Sequence, residues 1–166
     1  MAPERRTPPL EADERSTLTA FLDAQRATLA IKCDGLSDGQ LREQAVPPSA
    51  MSLLGLVRHL AEVEKNWFRP LLAGDEMAGL FAPGLDWEAA WRVDTADVAE
   101  AFAGWEAECA NSRALVAAAP SLDTTGMRDG WRFTLRWVLT HLVEEYARHN
   151  GHADLLRERI DGQTGE

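Results

Sequence analysis

Apolar residues recur at intervals of three and four positions in four long stretches of the chain. This spacing places them along one side of an α-helix. Glycine, proline and short polar residues separate the stretches, and these residue types are typical of helix ends. No stretch shows the strict apolar–polar alternation that predicts a β-strand. The four predicted helices cover about residues 12–34, 49–70, 94–120 and 134–160, with Ser49 or Ser52 as the start of the second.

Together these helices predict an all-α fold, a four-helix bundle with a long crossover, residues 73–93, between helices two and three. A chain of 166 residues is long enough to bury a core of its own. Residues 1–10 contain three prolines and are predicted to form a flexible N-terminal arm. The remainder, residues 11–166, is predicted to be a single bundle domain.

Charge and hydropathy narrow the classes of partner. The chain has 27 acidic and 17 basic residues, a net charge of −10, whereas binding to a phosphate backbone requires an excess of lysine and arginine. Nucleic-acid binding is therefore not expected. No apolar run approaches the roughly 20 residues that span a bilayer, and the N-terminus lacks the apolar segment of a secretory signal. We expect a cytoplasmic protein without a membrane partner, in which Cys33 and Cys109 are reduced.

The fourth predicted helix concentrates the candidate chemistry. On a helical wheel centred on Leu142, His149 lies about 20° and Glu145 about 60° from the middle of the apolar stripe. His152 and His141 lie on the shoulders of the stripe, at about 80° and 100°. We expect both at the solvent-exposed rim, with hydrogen bonding to the neighbouring site residues as the alternative. A carboxylate on a buried stripe is costly unless it binds a proton, pairs with a cation or coordinates a metal. Glu145 and His149, four residues apart, are therefore the focus of the candidate site.

Two interpretations of Glu145 remain open on spacing alone. In the first, its carboxylate forms an ion pair with His149, Arg148 or Arg136. In the second, His59 on the shoulder of the second helix joins Glu145 and His149, which gives two imidazoles and one carboxylate. That is the ligand count of a catalytic zinc site with one open position, and the same set suits Fe(II) or Ni(II).

A di-iron centre fits the sequence less well than a mononuclear one. Di-iron bundles carry Glu-x-x-His on two helices, whereas His59 and Glu62 follow each other in the reverse order. Glu62 is also predicted to lie on the solvent side of its helix. The sequence therefore predicts a site for one metal ion.

Two segments resemble a known family: GLVRHLAEVEKNWF, residues 55–68, and LRWVLTHLVEEYARHNGHADLLRE, residues 135–158. They resemble the DinB/YfiT-like superfamily of four-helix-bundle metalloenzymes. More closely, they resemble the actinobacterial branch that includes the metal-binding domain of mycothiol-dependent maleylpyruvate isomerase. Many members of the superfamily have three histidine ligands, but this branch uses histidine, glutamate and histidine. The resemblance therefore implies that His59, Glu145 and His149 are the metal ligands.

The resemblance also implies a function, a metal-dependent thiol S-transferase. It implies one divalent cation, zinc ahead of nickel or iron, and a low-molecular-weight thiol such as mycothiol that attacks an electrophile. The chain as given has no counterpart of the isomerase's additional domain, so S-transfer is expected instead of isomerisation. A sugar-like or anionic thiol needs hydrogen-bond donors and an aromatic wall. The candidate substrate-binding residues are Arg58, Arg132, Arg136, Arg148 and Trp131.

Two other functions remain open at this point. One is a non-catalytic metal-binding or stress-response protein built on the same bundle. The other is a dimerisation module in which Glu145 and His149 form only an internal ion pair. An apolar helix face left over in such a bundle predicts a homodimer. Three protein ligands favour catalysis, because structural zinc sites usually have four.

Overall fold

The computed structural model describes residues 4–165 and confirms the predicted all-α bundle. Residues 1–3 of the predicted arm and Glu166 lie outside the described residues, and residues 4–10 form neither helix nor strand. No helix within the described residues is both long enough and apolar enough to cross a membrane. The elements are α1 (Glu14–Cys33), α2 (Asp38–Arg42), α3 (Leu53–Leu72), α4 (Val98–Ala118), β1 (Thr125–Arg128), β2 (Trp131–Thr134) and α5 (Leu135–Asp161).

The four long helices, α1, α3, α4 and α5, enclose a shared apolar core. α3 packs mainly on α4, α1 packs mainly on α5, and α3 also lies against α5. The apolar stripe predicted for α5 is buried except for Ile160, which is half-buried. Leu142 and Tyr146 at the centre of the stripe are fully enclosed. Glu145 and His149, on the same side of the helix, are thereby brought against α3.

The helix boundaries follow side-chain capping and differ from the predicted ones by a few residues. Ser52 is the N-cap of α3 and accepts a hydrogen bond from the Gly55 amide at 3.1 Å, so the later of the two predicted starts is correct. α4 begins after the Asp97 cap, a few residues later than predicted. α3 continues past Pro70 to Leu72, two residues beyond the predicted end, although proline has no amide donor for the helix.

A two-stranded β-hairpin precedes α5, and the expectation of no strand was wrong. β1 and β2 pair antiparallel around Asp129 and Gly130, which both have positive φ angles, 51° and 79°. An Asp-Gly pair with this backbone is a common two-residue hairpin turn. Gly126 lets β1 pack on the end of α3, since a Cβ there would lie 2.5 Å from the Leu71 carbonyl oxygen. β2, WRFT, alternates apolar and polar residues over four positions, the minimum length for this signal, whereas β1, TGMR, does not.

The crossover, residues 73–93, is held against α3 by a buried carboxylate. Glu62 accepts hydrogen bonds from the backbone amides of Leu80 and Phe81, at 2.7 and 3.3 Å. Glu62 is only 2% exposed, so the prediction that it lies on the solvent side of its helix was wrong. The wheel placed it correctly away from the bundle core, but the crossover covers that face of α3.

Replacing Glu62 with alanine is expected to lower the free energy of unfolding by about 3 kcal/mol, because two partly buried backbone amides lose a charged acceptor. Urea denaturation followed by circular dichroism measures this change. Glu76→Ala removes an exposed glutamate of the same crossover and should change the free energy by less than about 0.5 kcal/mol. Equal stability of the two variants would show that Glu62 does not anchor the crossover.

Candidate metal centre

Three predicted ligands lie together where α3 meets α5. α3 supplies His59, and α5 supplies Glu145 and His149, which are about one turn apart. One ligand atom of each residue lies within 4.8 Å of those of the other two. His149 Nε2 lies 3.4 Å, and His59 Nε2 3.9 Å, from the same carboxylate oxygen, Glu145 Oε2. The structure thus brings together the set of two imidazoles and one carboxylate.

A 3-10 helix of the crossover, Trp87–Trp91, forms one wall of this site. The Trp91 indole stacks on the His59 ring, with the ring centroids 5.1 Å apart and 24° between the planes. The His149 ring meets His59 edge-on, with centroids 4.7 Å apart. Gly55 allows this approach, since a Cβ there would lie 2.9 Å from the Trp91 indole. Ring packing therefore fixes the orientation of His59.

Glu145 is ionised at neutral pH. The polar contacts with His149, at 3.4 Å, and then with His59, at 3.9 Å, hold the pKa of its carboxyl well below the usual value. Partial burial raises the pKa, but the contacts with the imidazoles outweigh it. The carboxylate therefore offers a full negative charge beside two imidazoles, which favours a bound cation.

The arginines that the sequence offered as partners of Glu145 pair with other carboxylates. Arg148 forms an ion pair with Glu144 at 2.7 Å on the exposed side of α5. Arg136 forms an ion pair with Glu14 of α1 at 2.6 Å. Of the pairing interpretations, the structure keeps only the one with histidine.

The two remaining histidines, His141 and His152, also border the ligand set. His141 Nε2 lies 3.6 Å from Glu145 Oε1, and its ring stacks on Trp137 with centroids 4.9 Å apart. His152 Nδ1 lies 3.4 Å from Nδ1 of His149. Burial is the main cause that lowers the pKa of His152. The structure places both residues half-buried beside the candidate ligands, whereas the helical wheel predicted the solvent-exposed rim.

These side chains fit a divalent cation. His59 Nε2 and His149 Nε2 face the same Glu145 oxygen, at 3.9 and 3.4 Å, so donor atoms from both helices converge on one place. Two imidazoles and a carboxylate form a donor set that zinc prefers and that Ni(II) or Fe(II) also accepts. A cation at this place would be held by His59, Glu145 and His149.

Comparison with known protein families supplies a decisive observation. The family model of mycothiol-S-transferase matches residues 17–162, a range that includes all three candidate ligands. The chain belongs to the mycothiol-S-transferase family. Membership confirms the resemblance to the DinB/YfiT-like superfamily that the sequence showed. No curated protein matches the chain.

The predicted substrate-binding residues of this family member occupy different surroundings. Arg58 is 7% exposed, and its guanidinium donates to the carbonyl oxygens of Ala89 and Ala90 at 2.9 and 3.2 Å. Arg58 therefore holds in place the 3-10 helix that carries Trp87 and Trp91. Arg132 and Trp131 lie exposed on β2, with Trp131 72% exposed. Their role in substrate binding stays a prediction.

Sequence reasoning missed Arg128, which the hairpin places beside the aromatic rings of the site. Its guanidinium carbon lies 3.8 Å from the Trp67 ring centroid and 5.8 Å from that of Trp87. Trp67 also packs edge-on against the His141 ring, with ring centroids 4.7 Å apart, and Trp87 packs edge-on against the His59 ring, with centroids 6.5 Å apart. The Asp-Gly turn after Arg128 was the signal that could have found it, because that pair predicts a hairpin.

A large cavity lies away from these candidate ligands. It has a volume of about 460 Å³, lies between α1 and α4, and includes Arg26, Trp105 and Cys109 in its lining. No metal ligand lines it. Burial raises the pKa of the Cys109 thiol to about 12, so this cysteine is protonated at neutral pH and is a poor nucleophile.

Proposed function

We propose that this protein is a metal-dependent thiol S-transferase that uses a low-molecular-weight thiol such as mycothiol, with zinc as the metal. The observation that carries the proposal is the meeting of His59, Glu145 and His149 within 4.8 Å in a member of the mycothiol-S-transferase family. Three protein ligands are the usual number in catalytic zinc sites, which keep a position for substrate.

A bound divalent cation would supply Lewis acidity, which stabilises the thiolate of a coordinated thiol at neutral pH. The protein ligands adjust this effect through their charge. Glu145 contributes one negative charge, so with two neutral imidazoles the site would retain one positive charge. An anionic sulfur is favoured there over a neutral thiol.

The aromatic residues would shape the space for the two substrates. Trp91 covers one face of His59, and Trp137 covers one face of His141. These rings exclude water from the sides of the ligand set and strengthen its electrostatic interactions. In S-transfer the thiol gives up its proton to solvent. Its sulfur then forms a bond to carbon of the electrophile, and the leaving group departs with the electron pair of its bond to that carbon.

Among the predicted substrate-binding residues, we favour Arg132 and Trp131 on β2. Their exposed side chains are available to a molecule that approaches the hairpin. Arg58, Arg136 and Arg148 are already engaged with carbonyl or carboxylate oxygens of the protein.

Mycothiol is expected to change the visible absorption spectrum of the cobalt-substituted protein, because a thiolate that joins the metal alters its coordination and adds sulfur-to-metal charge transfer. Titration with mycothiol measures the change. A mycothiol blocked at sulfur by methylation is the matched control and should leave the sulfur-to-metal band absent. An unchanged spectrum at saturating mycothiol would contradict the transferase and favour a non-catalytic metal-binding protein.

A further inference from the structure

His152 contacts His149 through the ring nitrogen that Glu145 does not use. His149 Nε2 faces Glu145 Oε2 at 3.4 Å, and His149 Nδ1 lies 3.4 Å from His152 Nδ1. The two imidazoles are three residues apart on α5, with ring centroids 5.4 Å apart and planes inclined by 64°. Residues with this spacing lie on the same side of a helix, so the helix itself holds the two rings together.

The two facing Nδ1 atoms can share one hydrogen. They form a hydrogen bond only when one nitrogen carries the proton and the other presents a lone pair. If His152 donates, a neutral His149 carries its own proton on Nε2, and that atom cannot bind a metal. If His149 donates, its Nε2 lone pair is free on the side of Glu145 and His59.

We propose that His152 is a positioning residue of the metal centre. Its Nδ1 accepts a hydrogen bond from the Nδ1–H of His149, which leaves the Nε2 lone pair of His149 free to bind the metal. This role rests on the proposed metal site. Metal-binding histidines commonly donate their second ring N–H to an acceptor that fixes the tautomer and the ring orientation. In this chain a neighbouring imidazole supplies that acceptor.

His59 is held differently, and the contrast strengthens the assignment. Its Nδ1 has no hydrogen-bond partner among residues 4–165, and the Trp91 stack orients its ring. His149 has a polar partner at each ring nitrogen, Glu145 on one side and His152 on the other. Loss of His152 should therefore affect His149 and leave His59 unchanged.

Zinc affinity of the full-length protein, measured by competition with a chromophoric chelator, tests this role. His152→Leu removes the acceptor and is expected to weaken zinc binding about 10–100-fold. His152→Asn places a carbonyl oxygen near the position of Nδ1 and should recover most of the affinity. Leu155→Ala, at a residue of the same helix that is 57% exposed, is the control and should bind zinc as the wild type does.

The tautomer of His149 in the zinc-loaded wild type gives a readout that is independent of any variant. Long-range ¹H–¹⁵N correlation spectra should show its hydrogen on Nδ1. Wild-type zinc affinity in His152→Leu, or a His149 hydrogen on Nε2, would overturn the role of His152 while leaving the metal site in place. A wild-type protein that binds no zinc would instead overturn the proposed function and this role with it.

Discussion

Replacing His149 with alanine is expected to weaken zinc binding by more than about 100-fold while the bundle remains folded. Loss of a residue that only supports a ligand costs about 10–100-fold, so loss of a ligand itself costs more. His149 is only 9% exposed but belongs to the candidate ligand cluster and not to the apolar core, so circular dichroism should change little. Competition with a chromophoric chelator measures the loss.

Two neighbouring glutamates provide a matched control for this prediction. Glu145→Gln removes the charge of a ligand, whereas Glu144→Gln removes the same charge from an exposed residue that pairs with Arg148. We expect a large loss of zinc affinity in the first variant and almost none in the second. Equal retention of zinc by His149→Ala, Glu145→Gln and Glu144→Gln would show that the ligand assignment is wrong.

Replacing Arg26 with alanine is expected to destabilise the protein by about 3–5 kcal/mol, the usual cost of leaving a buried charge unpaired. Arg26 donates two hydrogen bonds, both of 2.8 Å, to the Glu64 carboxylate, which is fully buried. The Tyr146 hydroxyl also donates to Glu64 at 2.9 Å. That cost is a large share of the 5–15 kcal/mol that typically stabilises a domain.

Arg113 offers the control for this second prediction, because both arginines pair with Asp23 but Arg113 is exposed. Arg113→Ala should lower the free energy of unfolding by no more than about 1 kcal/mol. Urea denaturation of both variants gives the comparison. If Arg26→Ala costs no more than Arg113→Ala, then the buried pair with Glu64 does not stabilise the bundle.

The sequence predicted the long helices and the candidate ligand pair on α5 because both depend on local spacing. An i, i+4 pair on an apolar stripe stays together wherever the helix packs, so Glu145 and His149 could be found directly. His59 required a second helix to lie alongside, so spacing left its participation as one of two open interpretations, and the family resemblance favoured it. The structure brings all three together as that resemblance implied.

The features that the sequence did not reveal depend on segments outside the four helices. A helical wheel gives the direction of a side chain but not what lies there, so Glu62 was assigned to solvent although the crossover covers it. Arg128 reaches the aromatic rings only because a short hairpin carries it. His152 was assigned to the rim because its angle alone does not show that its ring contacts His149.

Metal content per chain tests the central claim most directly. The measurement is plasma mass spectrometry on untagged protein purified without chelators, for the wild type and for His149→Ala. We predict about one zinc, nickel or iron per wild-type chain and almost none in the variant. A folded wild-type protein that stays metal-free after reconstitution would contradict the proposed function and leave Glu145 and His149 as an internal ion pair.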